Sequence, residues 1–464
     1  MATTPGQWIH MVGIGGAGMS GIAQILFEQG FKVTGSDLQV NGTVTRLKEM
    51  GIEVFQGHSS VNLKEGVDLL VISSAVPQDN SEVQMALKRN IPVLKRGQML
   101  ASLVNKQKGI AVAGAHGKTT TTSMIYWILN KCGLDPTFIV GGELQDNHMN
   151  AKLGKGEYFI VEADESDASF LEILPYIAVV TNIEDDHLDY YKSLENIKKA
   201  FAQFINQIKP DGFVVLYGED QYISEIREDT KVKTITYGER PDNDYYIRNW
   251  EQKDTGSVFD IYKSKWYLGK VELSVPGKHN ALNAAAAIAV TLEIGLNFEE
   301  VAKAIKTFHG AKRRFQIKGE KMGILVVDDY AHHPTEIKAT LRTALNLQRG
   351  RVIAVFQPHR YTRTEKLGKE LGEAFSDCDL ALFTEVYAAG EKPIPGIDGK
   401  VVYESALAAG CNAVYLDSFV KIKNYLLENT KKGDLIITIG AGDIWKIGEE
   451  FLSELEARVV RGIS

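Results

Sequence analysis

Two glycine-rich loops constrain this chain more than any other feature, because each lies where a short apolar run gives way to a helical pattern. Gly13-Ile14-Gly15-Gly16-Ala17-Gly18 comes at the end of the run from Trp8 and opens the pattern Met19 to Gln29. Ala113-Gly114-Ala115-His116-Gly117-Lys118-Thr119-Thr120 follows the run 109–113 and opens a helix over Thr121 to Asn130. A strand, a glycine loop and a helix in that order form half of a βαβ unit, with loop amides and the helix N-terminus aimed at an anion. Two such units predict an α/β chain of parallel sheets with two phosphate sites.

The two loops differ in what they ask for. In the first, Gly13, Gly15, Gly16, Ala17 and Gly18 let the backbone approach a pyrophosphate. Asp37 ends the next strand, 19 residues after Gly18, where a carboxylate meets a ribose hydroxyl. This pattern fits a nicotinamide dehydrogenase, a nucleotide sugar, or a turn that merely needs glycine. In the second, Gly114, Ala115, His116, Gly117, Lys118, Thr119 and Thr120 wrap phosphates, with Lys118 on the β- and γ-phosphates and the Thr119 hydroxyl available to Mg²⁺. The strict pattern wants glycine where this chain has Val112, so the loop is a shortened variant. Two nucleotides are awkward for a dehydrogenase and natural for a kinase or a ligase.

A chain of 464 residues exceeds one core. The strand–helix rhythm starts afresh near Gly109 and again after Gly310, which predicts three α/β domains over 1–107, 108–312 and 313–464. Between Lys231 and Val275, near-alternating Tyr, Ile, Val and Trp predict a small antiparallel sheet. The formal charge of -7 supplies no basic field for nucleic acid. Cys132, Cys378 and Cys411 are too scattered for a metal or disulfide framework. Met1 to Trp8 lacks the basic and apolar regions of a secretory signal, and the apolar stretch Ala284 to Val290 is too short for a membrane span. The expectation is a cytoplasmic protein that engages neither nucleic acid nor membrane.

Acidic clusters end two predicted strands: Glu162-Ala163-Asp164-Glu165-Ser166-Asp167 and Asn182-Ile183-Glu184-Asp185-Asp186-His187. Such positions suit Mg²⁺ held against phosphates, although one or two carboxylates per cluster suffice and the rest would be solvated. Further on come Arg313-Arg314-Phe315, Asp328-Asp329-Tyr330-Ala331-His332-His333-Pro334 and Gln357-Pro358-His359-Arg360-Tyr361-Thr362-Arg363. Arginines gathered with histidines at strand ends point to anion recognition, either a transferring phosphate or an amino-acid carboxylate.

Taken in order, HMVGIGGAGMSG (10–21), SSAVP (73–77), GAHGKTTTT (114–122), EADESDASF (162–170), NIEDDHLD (182–189), KHNALN (278–283) and the DDYAHHP and QPHRYTRT segments resemble the Mur ligase family over essentially the whole chain. The resemblance implies a Rossmann-like N-terminal domain, a central P-loop ATPase-like domain and a C-terminal Rossmann-like α/β domain. It implies an ATP- and Mg²⁺-dependent ligase of peptidoglycan precursor synthesis that joins L-alanine to the carboxylate of UDP-N-acetylmuramate through an acyl phosphate, acting as a monomer or weak homodimer. The rival within the family attaches a preformed tripeptide to the same sugar during wall recycling.

Residue by residue, the resemblance puts UDP on the Gly13–Gly18 loop with Asp37, His58, Ser73 and Ser74 around it. ATP falls on Gly114 to Thr120, with Asn280 and Asn283 at the adenine and Arg314 and Asp329 closing over the nucleotide. The metal falls on Thr119, Glu162 and His187. His332, His359, Arg360 and Arg363 line the alanine and phosphate site, and Lys118, His187, His332 and Arg360 carry the chemistry. Sister ligases place a carbamylated lysine after the histidine motif; Lys192, Lys198 and Lys199 lie nearby and none of them matches.

Overall fold

The computed structural model describes residues 5–461 apart from Asp186, Asp254 and the side chains of Asp189 and Arg461. The first strands, β1 (Trp8–Val12), β2 (Lys32–Asp37), β3 (Glu53–Gln56), β4 (Leu69–Ile72) and β5 (Val93–Lys95), form one sheet in the order β3-β2-β1-β4-β5. Every neighbouring pair is parallel. β1 and β4 are almost wholly buried, as expected of strands covered by helices on both faces. Strand order reverses between β1 and β4, so the crevice outside their carboxyl ends is the switch point where α/β sheets bind ligands. The Gly13 loop and Ser73 occupy those two ends.

The second sheet holds β6 (Lys108–Ala113), β7 (Thr137–Ile139), β8 (Ala151–Lys152), β9 (Tyr158–Glu162), β10 (Ile177–Val180), β11 (Phe213–Tyr217), β12 (Lys233–Gly238), β13 (Tyr245–Lys253), β14 (Gly256–Lys263) and β15 (Trp266–Leu273), in the order β15-β14-β13-β12-β11-β10-β6-β9-β7-β8. The helix after β6, Lys118–Lys131, carries four threonines directly after its first residue, poor helix formers by propensity. Tertiary burial overrides that preference: Thr119 to Leu129 are all buried, and Trp127 Nε1–H donates to Thr307 Oγ1 at 3.0 Å. Ala284 to Val290 lie in the helix Lys278–Glu293 and are fully buried, so the apolar stretch is a core helix.

The antiparallel expectation for 231–275 fails at its first pair, because β12 and β13 run parallel. Their short crossover is pinned by Asp244, which accepts from Thr236 N–H at 2.8 Å and from its hydroxyl at 2.9 Å. Side-chain bonds hold a parallel connection that alternation alone reads as antiparallel.

The third sheet contains β16 (Gln316–Lys321), β17 (Ile324–Asp329), β18 (Val352–Phe356), β19 (Leu380–Phe383), β20 (Ala413–Tyr415) and β21 (Leu435–Ile439), ordered β16-β17-β21-β18-β19-β20. It is parallel except for the edge pair β16–β17. Buried apolar clusters cover both of its faces. The fold is thus α/β with three sheet-centred regions.

Contacts divide the chain into two compact units. One runs to Asn249 and adds Phe259–Val271 and Leu282–His309; the other has Trp250–Val258, Glu272–Ala281 and the chain from Gly310 onward. Within the first unit a single apolar core continues from Ile9 and Ile22 to Val161 and Phe204. Polar bonds reinforce it: Arg46 donates to Asn150 Oδ1 at 2.7 Å, and Arg96 to Asp164 Oδ2 at 2.8 Å.

Candidate active site

In the first unit, the loop after β1 is shaped by its neighbours. Gly13 has φ +76°, and a Cβ there would lie 3.0 Å from Ser73 Cβ, so only glycine lets the loop run this close to the end of β4. The N–H groups of Gly13 and Ile14 both donate to the Ser36 carbonyl, at 2.8 and 3.1 Å. Asp37 braces the same loop, with Oδ2 accepting from Gly15 N–H at 2.8 Å and Oδ1 from Gln39 N–H at 3.1 Å. Gly16 and Ala17 sit at the start of the following helix, Ala17–Glu28. Gly18 packs on Arg96, whose stem a Cβ would meet at 3.2 Å. Ser73 and His58 are half-buried and Ser74 is exposed, at the ends of β4 and β3. Gly13, Gly15, Asp37, His58 and Ser73 therefore share one edge of the sheet.

The loop after β6 is clamped from β10. Asn182 Oδ1 accepts from His116 N–H at 2.8 Å, Asn182 Nδ2 donates to the His116 carbonyl at 3.0 Å, and Ala115 N–H donates to the Asn182 carbonyl at 3.3 Å. The amides of Ala115 and His116 are thus turned to Asn182. At Gly117, the N-cap of the helix Lys118–Lys131, φ is +82° and a Cβ would lie 2.6 Å from Asn283 Oδ1. Asn283 is thereby brought to the loop after β6, as is Thr120, buried in the first turn of the helix.

Lys118 Nζ donates to Glu165 Oε1 at 2.7 Å, to the Ala115 carbonyl at 3.1 Å and to the Gly114 carbonyl. Burial works against its charge, but Glu165 and Glu162 outweigh burial and hold the ammonium above its ordinary pKa. Thr119 Oγ1 lies 3.0 Å from Glu162 Oε2, which also accepts from Gly141 N–H at 2.9 Å. The EADESD carboxylates accordingly divide their work. Glu162 faces Thr119, Asp164 pairs with Arg96, Glu165 faces Lys118, and Asp167 accepts from Ser169 N–H.

Oxygen donors at Thr119 and Glu162 suit a hard divalent cation. The buried Glu165 Oε2 has no hydrogen-bond partner, an acceptor such a cation would satisfy. His187 Nε2 lies 3.7 Å from Glu165 Oε1, and His116 Nε2 3.2 Å from Glu184 Oε2. Asp186 of the same motif falls outside the described residues. Lys198 is drawn off to an exposed pair of carboxylates, Glu195 and Glu225, each at 2.8 Å, which hold it protonated well above its ordinary range.

In the second unit, Arg313 is a structural strut. It donates to Asp328 Oδ2 at 3.0 Å and to the carbonyls of Gly442 and Gly440. Arg314 lies over Tyr330, 5.3 Å from the ring centre, and 3.7 Å from Glu336. Asp329 joins its own loop to the Arg-Arg-Phe turn, accepting from Phe315 N–H at 2.6 Å and Ala331 N–H at 2.7 Å. Burial pushes its carboxyl up to about 6 despite Arg314.

His332 and His359, at the ends of β17 and β18, approach to 5.9 Å between ring centres, and His359 stacks on Tyr387 at 5.7 Å. Burial lowers both imidazoles, to about 4 and about 3, so both are neutral at pH 7. His332 Nδ1 faces the Tyr330 carbonyl at 2.9 Å; as a carbonyl only accepts, Nδ1 carries the proton and Nε2 a lone pair. Arg363 Nη1 reaches His359 Nδ1 at 3.4 Å. Arg360 is the N-cap of the helix Tyr361–Glu373 with φ +70°, held by Tyr387 through its N–H. Asn280 Nδ2 donates to the Pro276 carbonyl at 2.6 Å.

Asn182 as the clamp, Glu165 and Arg96 as ion-pair partners and Tyr387 as the platform for His359 have no sequence signal for these roles. Asn182 and Glu165 stand inside the NIEDDHLD and EADESDASF motifs, which show the cluster but not the division of roles within it.

Three models of one family match the chain in succession: the Mur ligase family catalytic domain over 8–108, the Mur ligase middle domain over 112–291 and the Mur ligase glutamate ligase domain over 313–442. The UDP-N-acetylmuramate–L-alanine ligase of Syntrophomonas wolfei subsp. wolfei is 61% identical, covering 99% of this chain and 100% of the relative. That of Carboxydothermus hydrogenoformans is 49% identical over 96% of each chain. Among solved structures, the UDP-N-acetylmuramate–alanine ligase of Thermotoga maritima superposes with a TM-score of 0.84 at 30% identity, covering 97% of this chain and 99% of that one. A murein peptide ligase of Psychrobacter arcticus gives 0.72 at 26% identity, with the same coverage.

Proposed function

The chain belongs to the Mur ligase family, and from that premise we propose that it joins L-alanine to UDP-N-acetylmuramate, with ATP as the energy source and Mg²⁺ as its cofactor, in peptidoglycan precursor synthesis. High identity to alanine ligases over nearly the whole chain supports the substrate pair. No described helix is long and apolar enough to cross a membrane. ATP and UDP-linked sugars are cytoplasmic substrates, and the reaction belongs in that compartment.

A carboxylate is a poor acyl donor because its leaving group would be oxide. The muramate carboxylate therefore attacks the γ-phosphorus of ATP: a new O–P bond forms, the bond to ADP breaks, and an acyl phosphate results. The alanine amine then attacks the acyl carbon, and the tetrahedral intermediate expels phosphate to leave the amide. Lys118 neutralises charge on the transferring phosphoryl group. Thr119 and Glu162, with His187 nearby, would hold Mg²⁺, which supplies charge neutralisation at the phosphates. Arg360 and Arg363 bind the anionic phosphate and the alanine carboxylate, and His332 Nε2 accepts a proton from the attacking amine. The Gly13–Gly18 loop with Asp37, Ser73 and Ser74 seats the uridine diphosphate. Asn283 and Asn280 belong to adenine recognition, and Arg314 and Asp329 to nucleotide closure.

The observation that carries the reading is the grouping of Lys118, Thr119, Glu162 and Glu165 at the carboxyl ends of β6 and β9. Phosphate release with ATP, Mg²⁺ and UDP-N-acetylmuramate is expected to require L-alanine. Release that needs a tripeptide would move the protein to the recycling reaction, and no release with either acceptor would refute a ligase.

A further inference from the structure

We propose that Glu82, acting through Ser36, fixes the His58 tautomer with its proton on Nδ1, so that His58 Nε2 accepts a hydrogen bond from the nucleoside half of the UDP sugar. The proposal rests on the reading that the first crevice takes that nucleotide.

Glu82 is fully buried, in the helix Ser81–Lys88. Its carboxylate meets His10 Nε2 at 3.1 Å, Ser36 Oγ at 2.7 Å, Ser59 N–H at 2.9 Å and Asn62 Nδ2 at 2.8 Å. Burial disfavours the charge, yet these donors together keep the carboxyl below its ordinary range. An ionised carboxylate only accepts, so each of the four neighbours must donate.

Ser36 has one hydroxyl proton, and it is spent on Glu82. Its 3.0 Å contact with His58 Nδ1 therefore requires Ser36 Oγ to accept, which puts the imidazole proton on Nδ1. The opposite arm obeys the same rule. His10 donates from Nε2 to Glu82, its Nδ1 accepts from the Thr34 hydroxyl at 2.8 Å, and Thr34 Oγ1 accepts from Trp8 Nε1–H at 2.9 Å. Each hydroxyl donates once and accepts once, so the network has one consistent direction.

His58 lies just beyond β3 at the carboxyl edge, its side chain 16% exposed. Among the described residues Nε2 makes no hydrogen bond. The carbonyl of Ser36 also holds the Gly13 and Ile14 amides, so one residue sets both the pyrophosphate loop and the tautomer of His58. A lone pair at Nε2 suits the uracil ring N3–H or a ribose hydroxyl. The opposite tautomer would suit the uracil carbonyls instead, so the relay selects which face of the nucleoside is read.

The test is ¹H–¹⁵N NMR of the full chain labelled at histidine, near pH 8, with and without UDP; His58→Gln assigns the ring. The expected result is a protonated Nδ1 and a lone-pair Nε2 whose resonance moves on adding UDP. With 3-methyl-UDP the movement disappears if the donor is the ring N–H, and with the 2′-deoxy nucleotide if it is that hydroxyl. Glu82→Gln turns an amide N–H₂ toward Ser36, frees the Ser36 proton for His58 Nδ1, and should move the His58 proton to Nε2. UDP affinity should then fall about three- to tenfold, the scale of one hydrogen bond. Ser36→Ala should mix the tautomers without emptying the core. Wild-type protein that binds UDP while His58 carries its proton on Nε2, or a Glu82→Gln protein that keeps it on Nδ1, would overturn the relay. Failure of the wild type to bind UDP would instead overturn the reading of the crevice.

Discussion

Lys118 Nζ lies 2.7 Å from Glu165 Oε1, so the lysine of the glycine loop after β6 is paired with a carboxylate from just beyond β9. On the proposed function, a nucleotide phosphate and Glu165 would compete for the same ammonium. Glu165→Gln is expected to tighten ADP binding in the absence of Mg²⁺ about fivefold, the equivalent of roughly 1 kcal/mol of lost competition. Calorimetric titration in chelator reads this directly, and weaker binding by the variant would show that Glu165 supports the nucleotide instead.

Removing the ammonium itself separates chemistry from sugar binding. Lys118→Ala should lower kcat for phosphate release by about 10²–10³-fold, the usual cost of one electrostatic donor to a transferring group. Titration with UDP-N-acetylmuramate should be unchanged, because the Gly13 loop is built on a different sheet. Wild-type turnover by this variant would remove the loop from the mechanism.

Thr119 Oγ1 and Glu162 Oε2, 3.0 Å apart, are the oxygen pair proposed for Mg²⁺. Thr119→Ala and Glu162→Gln should each raise the Mg²⁺ concentration for half-maximal phosphate release by about tenfold or more. Equal Mg²⁺ requirements in variant and wild type would place the cation elsewhere.

Acid should loosen the second unit. His279, His332 and His359 are held neutral, at about 4, 4 and 3, with burial as the leading cause in each. Their folded values lie below the unfolded value near 6.5, so the unfolded chain binds more protons between the two, and stability falls as pH drops from about 6.5 toward 4. Asp329, raised to about 6 by burial, acts in the opposite sense over part of that window. Asp328, raised by burial, acts in the same sense as Asp329, and three rings against two carboxyls leave a net loss, on the order of 1 kcal/mol per ring at pH 5. Thermal melts at pH 7 and pH 5 check this, and an unchanged or higher Tm at pH 5 would contradict the neutral rings.

Much of the fold is legible in local pattern. Apolar runs ending in glycine loops mark β1 and β6, since a tight turn and a helix start need those residues wherever they occur. Alternation misleads at the β12–β13 pair, because that connection depends on Asp244 reaching back to Thr236. Lys198 shows the same limit: the motif spacing brings it near the site, whereas Glu195 and Glu225 draw it to the surface.

Two glycine-rich loops, acidic clusters at strand ends and a late histidine–arginine series are written in the local sequence, because each is a run of neighbouring residues with its own chemistry. Tertiary structure decided what every charged group in those runs does. Asp164 turns to Arg96 while Glu165, one residue on, turns to Lys118, and Glu82 directs the proton of His58 from a buried helix. Those partners stand more than twenty residues apart. They meet only because parallel strands bring their carboxyl ends to one edge, where a desolvated carboxylate is stable only with donors packed around it.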